Sequence, residues 1–141
     1  QTHVVVGTTA PAHNDDRRDA LSLASMVLGG GMSSRLFQRV REELGLAYAV
    51  HTFQSVHVDA GMHGVYLATA PRTAKKAYDA VRRELARLAA EGLPDDELAA
   101  AKRQLRGQIT LAADSVTNAM YRAAGLVVFD EPFRPLDEVL A

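Results

Sequence analysis

Residues 29–48 read GGGMSSRLFQRVREELGLAY, and this stretch decides the fold. The glycines at Gly29–Gly31 let the backbone turn where other residues would be strained. A helix is predicted from Ser33 to Leu44, because serine can cap a helix start and the residues that follow are amphipathic. Gly45 indicates the end of that helix. The alternating β-branched and aromatic residues from Leu46 to Phe53 predict a strand directly after it.

The predicted helix presents its apolar residues on one side, at Leu36, Phe37, Val40 and Leu44. At about 100° per residue, Arg41 lies on the flank of this apolar stripe, while Arg35 and Glu42 point away from it. Tyr48 lies near the start of the strand. Because the helix stops at Gly45 and the chain folds back, we expect Arg41 and Tyr48 to reach one wall.

The rest of the chain predicts strands and helices in separate blocks. A β-rich run at Thr2–Thr9 predicts a first strand, and Leu46–Val58 with Met62–Ala70 predicts a hairpin. Helical spacing predicts one helix before the glycines and three after the hairpin, the last capped by Asp114 or Ser115. Its expected core residues are Val116, Ala119, Met120, Ala123 and Val127. The fold class is therefore α+β rather than an alternating βαβ arrangement.

Bulk composition bounds the domain organisation and the partners. The chain has 141 residues, which predicts a single domain at 1–141 with a real core. The formal charge is −1, so charge gives no support for nucleic-acid binding. No apolar run approaches the ~20 residues of a membrane span, and no cysteine is present to form a disulfide.

The two ends indicate a piece of a longer polypeptide. The sequence begins at Gln1 and goes at once into a strand-like run. At the other end, Leu136–Ala141 looks like the first turn of a helix that is then cut. We therefore expect a truncated C-terminus and a further strand downstream, because two or three antiparallel strands make a poor sheet alone. The compartment we expect is the cytoplasm.

Two blocks carry a family resemblance: LGGGMSSRLF at 28–37 and REELGLAY at 41–48, with a weaker third block at 92–107. They resemble the second-half domain of the insulinase/pitrilysin zinc metallopeptidases, in the branch that includes the mitochondrial processing peptidase. The resemblance implies a layered antiparallel sheet with helices packed on one face. It also implies that the chain is one half of a chamber that holds an extended peptide substrate.

The resemblance places the catalytic machinery elsewhere. In the family, an H-x-x-E-H helix binds zinc and activates water on the first-half domain. This motif is absent from the present sequence. The resemblance therefore implies no catalytic or metal-binding residue here, and zinc held in a zinc-bearing N-terminal half. That half is either in the same polypeptide or in a separate subunit, and a dimer is compatible with the pattern.

A different metal site at the hairpin is the alternative for the histidines. His57 and His63 flank the predicted turn and are expected to face each other, with His51 on the same face as His57. No acidic or histidine second shell accompanies them. Exposed strand histidines are commoner than such sites, so we favour that interpretation.

Arg41 and Tyr48 are the candidate substrate-binding residues. The resemblance implies that they contact the substrate backbone near the scissile bond. Arginine offers a fixed fork of donors to carbonyl oxygens, and a tyrosine hydroxyl can donate to an oxyanion. The competing interpretation pairs Arg41 with Glu42 or Glu43 on a solvated face and packs Tyr48 half-buried on the sheet.

Two functions remain open from the sequence. The first is a substrate-binding, non-zinc half of a metalloendopeptidase. The second is a catalytically inactive structural or assembly subunit with the same fold, as the resemblance also includes core subunits of respiratory complexes. The pair Arg41 and Tyr48 favours the first, because a scaffold does not need it.

Overall fold

The structure is a computed structural model that describes residues 1–140. Its strands are β1 Thr2–Ala10, β2 Ala49–Val56 and β3 Gly61–Thr69. Its α-helices are α1 Arg17–Gly29, α2 Ala74–Glu91, α3 Asp95–Ala113, α4 Val116–Val128 and α5 Leu136–Leu140. A π-helical segment, Phe37–Glu43, follows α1, and a short 3-10 turn, Pro71–Thr73, precedes α2. The α+β fold class is confirmed.

The described residues form two compact units, at 1–98 and from 99 onward. The first unit contains the sheet, α1, the π-helical segment and α2, and the second contains most of α3 with α4 and α5. The single-domain assignment stays a prediction. Within residues 1–140, no helix is both long and apolar enough to cross a membrane.

The sheet of the first unit has the order β1-β3-β2, with both pairs antiparallel. Leu67 on the central strand faces Val4 on β1 and Val50 on β2. The predicted hairpin is confirmed, although β2 is shorter at both ends than the predicted Leu46–Val58. Residues that pair across neighbouring strands point to the same side of the sheet, and successive residues alternate between its two faces.

Helices cover one face of the sheet, as predicted. The core lies between them and consists of Leu28, Leu36, Val40, Val50, Val65, Leu67, Ala77, Ala80 and Val81. The Thr52 hydroxyl donates to the Ser25 carbonyl at 2.9 Å and ties β2 to α1. We call the opposite surface the open face. It carries the alternate residues of β1 from His3, of β2 from Ala49 and of β3 from Met62.

The glycine turn brings α1 against β2. A Cβ built on Gly29 would lie 2.6 Å from the Thr52 amide nitrogen, so only glycine allows this approach. The next segment departs from the predicted α-helix, because the Leu44 N–H reaches back to the Arg39 carbonyl at 3.2 Å, five residues away. Gly45 ends the segment with φ at 58°, which confirms the predicted stop.

The structure gives Arg35 a partner that the sequence did not predict, and it corrects the predicted core of α4. Arg35 does not point to solvent, because its side chain is 12% exposed and its Nε lies 2.8 Å from an oxygen of Glu97. In the second unit, Ser115 caps α4 as predicted, but Val116 is 86% exposed and Val127 is also exposed. Ala119, Met120 and Ala123 are exposed as well, so the predicted core of α4 is wrong: helical spacing identifies an apolar side but does not specify what covers it.

Candidate functional site

Arg41 lies near the end of the π-helical segment and is 45% exposed at its side chain. Its guanidinium carbon stands 4.7 Å from the centre of the Phe37 ring, a cation–π arrangement one turn away. Its Nε is 3.8 Å from a carboxylate oxygen of Glu42, while Glu43 pairs with Arg39. An exposed pair at that separation contributes little. The pairing with Glu42 that the competing interpretation predicted is thus present, although the guanidinium also contacts the Phe37 ring and stays exposed.

Tyr48 lies at the entrance to β2 and is 58% exposed. Its backbone N–H donates to the Ala68 carbonyl at 2.8 Å, which joins the residue to the central strand. Among residues 1–140 its hydroxyl has no hydrogen-bond partner. The phenol is therefore not packed half-buried on the sheet, and its hydroxyl is available to an outside acceptor.

The connection between these two residues is fixed by hydrogen bonds. The Leu46 N–H donates to the Val40 carbonyl at 2.9 Å, and the Leu46 carbonyl accepts from the Thr69 hydroxyl at 2.5 Å. Thr69 is completely buried, and its hydroxyl also lies 2.8 Å from that of Thr73. Leu46, which lies between Arg41 and Tyr48 in the sequence, is thus held at both of its backbone polar groups.

A row of three aromatic side chains crosses the open face, and the sequence analysis missed it. His3 Nδ1 and the Tyr66 hydroxyl oxygen are 2.7 Å apart. The His51 ring lies 4.8 Å from the Tyr66 ring on the other side. The signal available in the sequence was alternation, because His3, His51 and Tyr66 each occupy an outward position of a predicted strand.

A pocket of about 360 Å³ lies beside this row. It is lined by the glycine turn, Met32, Phe37 and the His51 end of β2. Phe37 therefore contacts the pocket and also carries the Arg41 guanidinium on its ring face.

The hairpin histidines do not form a metal site, so that alternative is wrong. His63 faces Gln54 in the register rather than His57, and its Nε2 lies 3.2 Å from the Ser25 hydroxyl on the helix-covered face. Burial there lowers the pKa of His63. His51 is on the open face, and His57 lies beyond the end of β2. Within the described part of the chain, no three His, Cys, Asp or Glu side chains are grouped to hold a metal ion. These residues do not fit zinc.

The sequence of this chain is similar to those of known proteins. The family model described as the peptidase M16 inactive domain matches residues 1–105. An uncharacterised zinc protease of Streptomyces coelicolor is 42% identical over 122 residues, which cover 86% of this chain and 27% of that protein. The uncharacterised zinc protease YmxG of Bacillus subtilis is 33% identical over 140 residues, covering 99% and 34%. The chain thus spans about a third or less of these relatives.

Solved structures give the same fold. A peptidase M16 inactive domain from Pseudomonas fluorescens superposes with a TM-score of 0.84 at 25% identity, covering 98% of this chain and 33% of that one. A chain of Complex III2 from Candida albicans superposes with a TM-score of 0.82 at 16% identity, covering 98% and 35%. At that identity the second likeness concerns the fold alone.

Proposed function

The chain belongs to the peptidase M16 inactive-domain family, and we propose that it is the substrate-binding, non-zinc half of a zinc metalloendopeptidase. Relatives that are 42% and 33% identical carry the name zinc protease, and this chain covers only part of each. The sequence has no H-x-x-E-H motif, and its hairpin histidines do not fit zinc. Hydrolysis therefore belongs to a partner half, in the same polypeptide or in a separate subunit.

Arg41 and Tyr48 hold the peptide in this proposal. The observation that carries it is the exposed Tyr48 hydroxyl, which has no partner among residues 1–140 although its backbone is hydrogen-bonded in place. A phenol hydroxyl donates to a peptide carbonyl oxygen, and the guanidinium of Arg41 supplies further donors to the next one. Both groups recognise the peptide backbone, so binding tolerates many sequences.

The test uses this domain together with a zinc-bearing half. The mixture should cleave an extended peptide, and Tyr48→Phe should lower kcat/KM about 10-fold because one neutral hydrogen bond is lost. Arg41→Ala should lower it by about 10–100-fold, because hydrogen bonds from a charged donor are stronger. Urea unfolding should show little change in stability for either variant.

Matched controls separate these roles from general surface effects. Arg39→Ala removes an exposed arginine of the same segment that pairs with Glu43. Tyr121→Phe removes the hydroxyl of another exposed tyrosine. Both controls should retain kcat/KM within about twofold. Unchanged turnover in both Arg41→Ala and Tyr48→Phe would discard the assigned roles.

A second candidate function is a structural or assembly subunit. The fold is shared with a chain of Complex III2 from Candida albicans, which favours considering it. In that case the surface around Arg41 and Tyr48 would serve only as an interface. The discriminating observation is the sequence of the first-half domain that accompanies this chain. An H-x-x-E-H motif there supports the enzyme, and a complete first half without it supports the scaffold or a heterodimeric partner.

A further inference from the structure

We propose that the open face is the surface on which one helix of the zinc-bearing half docks. The inference rests on the proposed function for the identity of that half, and it adds the surface through which the two halves join. None of the 16 Lys and Arg residues or the 17 Asp and Glu residues of the chain lies in β1, β2 or β3. Where one face of an antiparallel sheet stays in water, polar and charged side chains usually occupy that face. A sheet without any charged side chain is instead typical of one that is covered on both faces.

Apolar side chains of the open face are exposed within the described part of the chain. Val5 on β1 is 62% exposed, and Met62 on β3 is 46% exposed. The Phe53 ring lies flat over Gly64 on the neighbouring strand, because a Cβ built on that glycine would be 2.5 Å from the ring carbon Cζ. Covering these side chains removes apolar surface from water, which is the main favourable contribution to docking.

Polar groups of the open face already have partners on this chain. The Tyr66 hydroxyl oxygen lies 2.7 Å from His3 Nδ1. The Ser55 hydroxyl lies 3.3 Å from His57 Nε2. Buried polar groups need hydrogen-bond partners, and an unpaired one makes burial costly. An apolar element can therefore cover this face and leave the Tyr66 and Ser55 hydroxyls paired.

The size of the open face favours a helix over a second copy of the chain. Strands lie about 4.8 Å apart and rise about 3.4 Å per residue, so three strands of eight or nine residues present roughly 14 by 30 Å, or about 400 Å². A helix of about 20 residues is roughly 30 Å long and 10 Å wide, and it fits this area. A stable dimer buries about 800 Å² on each partner, roughly twice what this face offers. A helix that belongs to the same polypeptide does not need that area, because its docking is intramolecular.

Relatives of this chain have enough further residues to supply the helix. The aligned stretch covers 27% of the Streptomyces coelicolor protein and 34% of YmxG. Both relatives carry the name zinc protease, and most of each lies outside the aligned stretch. In the proposed function that remainder includes the zinc-bearing half. We therefore assign the helix to that half.

Thiol labelling in the full-length protein tests whether the face is covered. The two variants are Val5→Cys and the matched control Val58→Cys, because Val58 is 57% exposed but lies beyond the end of β2. The 141 residues contain no cysteine, and any others in the full-length protein are replaced. With a bulky maleimide, and after normalisation to the rates in urea, Val5→Cys should react at least about 10-fold more slowly than Val58→Cys, since its thiol is accessible only while the helix is undocked. Equal rates would overturn the inference.

Photocross-linking in the same protein identifies what covers the face. A diazirine analogue of methionine is incorporated at Met62 alone, where it keeps the size of the native side chain. Mass spectrometry should find cross-links to residues of the zinc-bearing half that recur every three or four positions, as on one side of a helix. Cross-links to a second copy of this chain, to α4 of the same chain, or to an added peptide substrate would each overturn the assignment. Cross-links to a non-helical segment of the zinc-bearing half would overturn the choice of a helix.

Failure of this inference differs from failure of the proposed function. If Val5→Cys reacts as fast as Val58→Cys while the full-length protein cleaves peptides and Tyr48→Phe lowers kcat/KM, only the docking surface is wrong. If Val5→Cys is protected and Met62 cross-links to the other half, but Arg41→Ala and Tyr48→Phe leave kcat/KM unchanged, the docking surface is supported and the assigned peptide-binding roles are wrong.

Discussion

Replacing Thr69 by valine should loosen the link between the π-helical segment and β2. Valine has nearly the same shape as threonine, so the change removes the hydroxyl and leaves the volume of a completely buried position. The Leu46 carbonyl loses the donor that now lies at 2.5 Å, and the Thr73 hydroxyl loses a partner at 2.8 Å. A lost hydrogen bond costs about 1 kcal/mol net, and more where a buried group is left unpaired.

The expected destabilisation is therefore about 1–2 kcal/mol. With a urea m-value of about 2 kcal/mol per molar, the unfolding midpoint should fall by roughly 0.5–1 M. Native-state hydrogen exchange gives a local readout, because the amide protons of Leu46 and Tyr48 are bonded to Val40 and Ala68. Both protons should exchange faster in Thr69→Val than in the wild type under native conditions.

Thr110→Val is the matched control. The Thr110 hydroxyl donates to the Arg106 carbonyl within an exposed stretch of α3. Its loss should change the free energy of unfolding by less than about 0.5 kcal/mol. An unchanged midpoint in Thr69→Val, together with unchanged exchange at Leu46 and Tyr48, would refute the claim that Thr69 fixes this connection.

Two further predictions test the packing of the first unit. Gly29→Ala should destabilise the fold by about 2–3 kcal/mol, because its Cβ would lie 2.6 Å from the Thr52 nitrogen, whereas Gly107→Ala should stabilise it by about 0.5–1 kcal/mol, since no atom lies within 4 Å of the added carbon; urea midpoints moving in the same direction would contradict this. Burial lowers the pKa of His63 in the folded protein. As the pH drops below about 6.5, the unfolded chain therefore binds more protons than the folded one, and the stability of the fold decreases. The difference between the urea midpoints at pH 7.5 and 5.5 should shrink in His63→Gln and persist in His57→Gln. If His63→Gln shows the same difference as the wild type, His63 is excluded as the cause.

Local chemistry explains which parts of the fold could be predicted. Runs of β-branched and aromatic residues, alternating in β2, located all three strands, and the left-handed backbone at Gly45 ended the helix where glycine indicated. The glycine turn was predicted from backbone freedom, and the structure adds its reason, which is the contact of Gly29 with Thr52. These determinants act between residues that are close in the sequence, so a single sequence is enough to recognise them.

Features that depend on distant residues were not predictable. Arg35 was expected to point away from the apolar stripe, and its partner Glu97, which reaches it from the start of α3, was not predicted. The π-helical geometry of Phe37–Glu43, which changes the angle per residue from the assumed 100°, was not predicted. The contacts of Tyr66 with His3 and His51 required the register of three strands, which alternation alone does not give.

The rigidity of the connection bears on the choice between a binding half and a scaffold. Chain segments between elements usually vary in position, and ordering them has an entropic cost. Here Leu46 is bonded at both polar groups and a buried hydroxyl is committed to it, while the side chains on either side, Arg41 and Tyr48, remain exposed. A backbone held by hydrogen bonds, with exposed donor side chains on either side, suits the proposed recognition of a peptide, because less ordering is then needed on binding.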